Sequence, residues 1–115
     1  GAFRAKLGKV IFLGDFIDRG PEQMKTIQIV QKMVENDHAL AVMGNHEFNA
    51  IAWATTDSNH PSEFLRAHTQ KNLRQHQVFL NDIGAGSRAH HKTIDWFKEL
   101  PLFLDLNDIR IVHAC

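Results

Sequence analysis

Apolar positions in this chain fall into short runs and helical stripes, and the first two runs end in glycine. Lys9 to Leu13 reads Lys-Val-Ile-Phe-Leu before Gly14, the pattern of a buried, partly β-branched strand entering a turn. Pro21 suits a first helical turn, and Met24, Ile27, Val30 and Val34 follow at helical spacing up to a stop at Asn36-Asp37. Ala39 to Met43 is a second apolar run that again meets glycine, at Gly44. Strand, helix and strand within so short a span predict parallel strands joined by a right-handed crossover, with ligands gathered beyond the strands' carboxyl ends. Both polar clusters of the chain stand at those ends.

Residues 47–100 read as mostly helical. Helix is expected from Glu47 to Ala54, a turn from Asp57 to Pro61, and helix, broken or continuous, from Glu63 to Asp82. A loop at Gly84 to Gly86 precedes a further helix from Thr93 to Glu99. Leu102 to Leu106 and Ile109 to Val112 predict two strands around an Asn107-Asp108 turn, and His113 follows the second directly. The pattern is that of an α/β fold: a βαβ core with parallel strands, a mostly helical middle and a C-terminal strand pair.

Composition narrows this picture only slightly. The 115 residues suit one domain, and 43% hydrophobic with 23% charged residues is ordinary for a globular chain. Thirteen basic residues balance thirteen acidic ones, so affinity for phosphate must be local and nucleic acid is not an expected partner. Cys115 is the only cysteine, which excludes an internal disulfide framework and favours a reducing, cytoplasmic setting. No apolar run reaches the roughly 18 to 20 residues of a membrane helix, and no signal-peptide pattern is present. Because the chain opens on Gly1 and stops just after an apolar run, both natural termini are expected to lie outside it.

Chemistry concentrates in two turns. Gly14-Asp15-Phe16-Ile17-Asp18-Arg19-Gly20 sets two carboxylates and a guanidinium between glycines. Carboxylates suit hard divalent cations, and arginine suits forked contact with phosphate oxygens. The plain alternative is a polar turn in which Asp18 pairs with Arg19 and caps the helix. Gly44-Asn45-His46-Glu47 repeats the arrangement after the next strand: glycine, an oxygen donor, then an imidazole whose ordinary pKa near neutrality suits general acid work. Here the plain alternative makes Asn45 an N-cap. Asp18 is a candidate to orient His46.

These two turns, with Val112-His113-Ala114, resemble signature motifs of the calcineurin-like metallophosphoesterases, although Cys115 stands where that family usually has glycine. Arg19-Gly20 after Asp18 resembles the branch of serine/threonine phosphoprotein phosphatases and bacterial symmetrical diadenosine tetraphosphatases. The resemblance implies a hydrolase with two divalent ions, manganese, iron or zinc, acting on a phosphorylated small molecule, a nucleotide or a phosphoprotein. It implies that Asp15 bridges the ions, that Asn45 and His113 bind the second, and that Arg19, with Asn45 and His46, holds substrate phosphate. It further implies that His46, oriented by Asp18, protonates the leaving oxygen.

The family's Asp-x-His motif is absent from residues 1–8. The chain by itself is therefore expected to be inactive, its parent being the enzyme. Two other readings stand beside this one: a phosphate-binding domain without turnover, and a nuclease of the same superfamily, which Arg19-Gly20 and the balanced charge disfavour. Glu47 is expected either to support the site or to begin the following helix. His60, His68, His76, His90 and His91 show no compact metal spacing. His68 and His76 are expected to share a helix face, and His90-His91 to lie in a solvated loop. Trp53, Trp96 and the phenylalanines are expected to build the core, stacking of Trp53 on a nucleotide base being the less favoured alternative.

Overall fold

A computed structural model describes residues 2–4, 8–18, 22–106 and 109–113. The fold is α/β. Strand β2 (Val10–Phe12) lies between β1 (Ala2–Arg4), antiparallel to it, and β3 (Ala39–Ala41), parallel to it in the register Val10 to Ala39 and Phe12 to Ala41. The expected parallel βαβ unit is present, closed by helix α1 (Gln23–Glu35). Gln23, Ile27 and Val30 form the buried stripe of α1. Asp37, at φ 60°, turns the chain back toward β3 and pairs with Lys9 at 2.7 Å. Pro21, Arg19 and Gly20 lie outside the described residues. Strand β1 was not expected, since three residues carry too short a pattern to register as a strand.

Helix α2 (Asn45–Ala54) follows β3 directly. The middle of the chain then departs from expectation. Glu63 and Phe64 are not helical; they end strand β5 (His60–Phe64), which pairs with β4 (Thr56–Asp57). The Asp57 carboxylate accepts the Asn59 N–H at 2.9 Å and fixes the reversal, a local turn that outcompetes helix here. Leu65 and Arg66 donate backbone N–H groups to the carbonyls of Thr55 and Ala52, binding the hairpin's exit to α2. Helix α3 (Gln70–Ile83) starts only after Thr69, whose hydroxyl accepts the Asn72 N–H. His68 thus precedes α3 and does not share a face with His76.

Helix α4 (Arg88–Glu99) begins five residues before the expected Thr93, because Ser87 caps it by accepting the His90 N–H. His90 is consequently a buried helical residue at 6% exposure, not a loop residue, whereas His91 is exposed. Strands β6 (Phe103–Leu106) and β7 (Ile109–Val112) form the expected C-terminal antiparallel pair, and Asn107-Asp108 lies outside the described residues. The Met43 N–H donates to the Pro101 carbonyl at 2.8 Å, holding the approach to β6 against the end of β3.

One cluster of buried side chains joins the sheet's carboxyl end to all four helices. Ile17, Ile27, Ala50, Phe79 and Phe97 are wholly buried within it, and Trp53 is 7% exposed. Trp96 packs against the cluster beside Phe16. Trp53 is therefore core, as expected, and the ring of His68 covers one of its faces at 3.7 Å. That contact occupies a surface a stacked base would need. Among the described residues no helix is long and apolar enough to cross a membrane.

Candidate active site

Two glycine turns meet at the carboxyl ends of β2 and β3, packed so closely that neither tolerates a side chain. A Cβ on Gly14 would stand 2.3 Å from the Gly44 nitrogen, and a Cβ on Gly44 would stand 2.5 Å from Asp15 Oδ1. Gly14 also takes φ 89°, which favours glycine. Asp15 and Asp18 adopt φ 58° and 65°, a left-handed conformation uncommon for residues with a side chain and held only where surroundings over-determine it.

Glu47 supplies much of that determination. Wholly buried, it accepts N–H bonds from Asp15 (2.6 Å) and Gly44 (2.9 Å) on Oε1 and from Phe16 (2.9 Å) on Oε2. One carboxylate thus ties the first turn to the second. Burial pushes its carboxyl above the ordinary 4.5, opposed by the three N–H donors and assisted by the charge of Asp15. Glu47 is both the acid in the first turn of α2 and a support beneath the site.

Above this clamp, side chains from three strand ends converge. His113, just past β7, places Nε2 3.0 Å from Asn45 Oδ1 and 3.2 Å from Asp15 Oδ2. Its Nδ1 meets the Leu13 carbonyl oxygen, which can only accept, so in the neutral ring Nδ1 carries the proton and the Nε2 lone pair faces two further oxygen atoms. In that neutral form the three lone pairs converge on one point, an arrangement that a cation between them relieves. A carboxylate, an amide oxygen and an imidazole nitrogen suit a divalent ion such as manganese, iron or zinc, so these residues fit one metal. Asn45 is not the N-cap of α2, a position Gly44 occupies. Among the described residues no group of three histidine, cysteine, aspartate or glutamate side chains gathers here, and a second ion would find only Asp15 to share.

Beside this donor set lies a histidine–aspartate pair. His46 Nδ1 is 3.0 Å from Asp18 Oδ2, and the Asp18 side chain is only 6% exposed. The His46 backbone N–H donates to Asp15 Oδ1 at 3.2 Å, linking the pair to the donor set. Asp18 does not cap α1, whose N-cap position is Glu22; its second oxygen accepts from His76 Nδ1 at 2.8 Å. The sequence reading missed His76. Its signal was a place on the apolar stripe of α3 with Phe79, Leu80 and Ile83, where a buried imidazole requires a polar partner. Arg19, expected to bind phosphate, lies outside the described residues.

Residues 2–114 match the family model for calcineurin-like phosphoesterase. Among curated proteins, a symmetrical bis(5'-nucleosyl)-tetraphosphatase of Vibrio cholerae serotype O1 is 27% identical over 97% of this chain and 35% of its own length. The asymmetrical bis(5'-nucleosyl)-tetraphosphatase PrpE of Oceanobacillus iheyensis is 28% identical over 92% of the chain and 40% of its own length. A symmetrical enzyme of Ralstonia nicotianae is 30% identical over 90% and 31%. The chain thus spans well under half the length of the curated relatives it matches. No solved structure matches it. With a match that runs from residue 2 to residue 114, over the glycine turns and His113 alike, the chain belongs to the calcineurin-like phosphoesterase family.

Proposed function

We propose that the full protein hydrolyses phosphoanhydrides or phosphate esters, with dinucleoside polyphosphates as the favoured substrate class. The observation that carries this reading is the side-by-side placement of two devices: the Asp15, Asn45 and His113 donor set, and the His46–Asp18 pair. The names of the tetraphosphatase relatives support the choice of substrate.

Divalent ions bound at such a site polarise a phosphoryl oxygen and make water nucleophilic at neutral pH. The remaining work falls to the chain. Asp15, Asn45 and His113 would hold the ion through a carboxylate, an amide oxygen and an imidazole nitrogen. Arg19 holds the phosphate by forked hydrogen bonds. Asp18 accepts the His46 Nδ1–H and fixes the ring, so that Nε2 carries the proton delivered to the leaving oxygen. His76 secures the other oxygen of Asp18, so the carboxylate cannot rotate away from His46 without breaking a buried hydrogen bond.

The test is manganese-dependent phosphate release by the full-length protein from p-nitrophenyl phosphate, a phosphopeptide and diadenosine tetraphosphate, with His46→Asn as control. Turnover is expected, highest on the dinucleotide, and His46→Asn is expected to lower it by ~10²-fold or more, with bound metal unchanged by elemental analysis. Full activity in the variant removes His46 from its role. No turnover by folded, metal-loaded protein replaces the enzyme reading with that of a phosphate-binding domain.

A further inference from the structure

A cleft of about 340 Å³ opens beside His46, walled by Asn49 of α2, Arg66, and Asn72 and Gln75 of α3, with Asp18 at its edge. Arg66 is held at both ends. Its backbone N–H donates to the Ala52 carbonyl at 3.1 Å, and its Nη2 donates to Asn72 Oδ1 and Gln75 Oε1, each at 3.2 Å. Asn72 is itself fixed: its amide group donates to the Ala67 carbonyl at 2.8 Å, which aims Oδ1 at the guanidinium. Both partners of the guanidinium are neutral, and among the described residues no carboxylate pairs with Arg66. The nearest acid on the cleft, Asp18, has both oxygens engaged by His46 and His76. The cleft therefore presents a fixed cation, with Nη1 and Nε free of protein partners among the described residues, amid carboxamides that can donate or accept.

A general acid stands beside the oxygen it protonates, so if His46 has the role proposed above, the departing group lies in this cleft. In hydrolysis the bond from phosphorus to that oxygen breaks, water supplies the new oxygen, and the His46 proton ends on the leaving group. A phosphoserine would leave as a neutral alcohol and offer Arg66 nothing. A phosphoanhydride leaves as a nucleoside phosphate, whose oxygens accept forked hydrogen bonds from a guanidinium.

We infer that Arg66 and its carboxamide neighbours form a leaving-group subsite for an anionic leaving group, a nucleoside diphosphate being the chemical class that fits. The inference rests on the assignment of His46 and makes Arg66 a determinant of phosphoanhydride over phosphomonoester selectivity.

The experiment uses the full-length protein, wild type, Arg66→Ala and Arg66→Lys, with circular dichroism to verify folding. Activity is measured on diadenosine tetraphosphate and on p-nitrophenyl phosphate, whose leaving group carries no phosphate, and ADP binding is measured by calorimetry. The ratio of kcat/KM for the dinucleotide over the aryl phosphate is expected to fall about tenfold or more in Arg66→Ala, with a parallel loss of ADP affinity. Arg66→Lys, which keeps the charge but loses the fork, is expected to fall between. An unchanged ratio, or ADP affinity indifferent to Arg66→Ala, overturns the subsite. Absence of turnover in the wild type defeats the hydrolase reading instead, and ADP affinity then decides the fate of the subsite alone.

Discussion

Asp18 illustrates how little freedom a side chain at the candidate site has. Its backbone sits at φ 65°, its N–H donates to Gln23 Oε1, and its two oxygens go to two different histidines. Buried imidazoles recur at the residue scale, and His90 gives the clearest pH prediction. Burial holds its pKa below the ordinary 6.5, with the positive charges of His76 and His91 adding to the effect. Its Nδ1 accepts the Gly86 N–H at 3.0 Å, so the neutral ring is the form that fits. A depressed folded pKa means that its stabilising contribution is present above pH 6.5 and lost as pH falls through the lower folded value. The urea midpoint of the wild type is therefore expected to drop below pH 6.5 more steeply than that of His90→Leu. Parallel slopes would remove His90 from the acid response.

At the scale of elements, the site depends on two strand-to-helix turns approaching within one side chain's thickness. Gly44 separates two causes of glycine preference, because its φ of −93° and ψ of 176° suit alanine and only the contacts with Asp15 and Glu47 forbid it. Gly44→Ala must push Asp15 and Glu47 aside, and overpacking of this kind costs about 1–3 kcal/mol. Urea unfolding is expected to show that loss, and calorimetry a weaker manganese affinity, since Asp15 belongs to the donor set. Wild-type metal affinity in Gly44→Ala would mean that the turns yield without moving Asp15. Helices α3 and α4 act differently: α3 brings His76 to Asp18 and the carboxamides to Arg66.

For the molecule as a whole, the helices are held to the sheet end by aromatic packing. Phe79 and Phe97, on α3 and α4, are wholly buried with ring centroids 6.2 Å apart. Both belong to the cluster that contains Ile17 of the first turn and Trp53 of α2. Phe97→Ala leaves a cavity in that cluster and is expected to cost about 3–5 kcal/mol in urea unfolding. A loss below about 1 kcal/mol would indicate that the core collapses into the space, a smaller penalty than buried aromatic truncations normally bring.

Much of this was legible in the sequence because it is local. Glycine-terminated apolar runs marked β2 and β3, the stripe of Ile27 and Val30 marked α1, and Asp15, Asp18, Asn45 and His46 declared themselves by standing directly after those runs. The turn at Asp57 was read, but the short strands β4 and β5 on either side of it were not, and Glu63 was expected in a helix; the Thr69 and Ser87 caps were readable and would have placed both helix starts correctly. Three contacts lie beyond the reach of local pattern, although the family resemblance already implied Asn45 and His113 together at one ion. His113 meets Asn45 across 68 positions, His76 meets Asp18 across 58, and Glu47 reaches Asp15 across 32. Sequence periodicity reports which face of an element is buried, but not which polar atom waits there. Local sterics and hydrophobic pattern therefore set the strands, the glycine turns and the polar side chains that follow them. Only packing decided which of those side chains share a hydrogen bond, because that depends on how separate elements dock against one core.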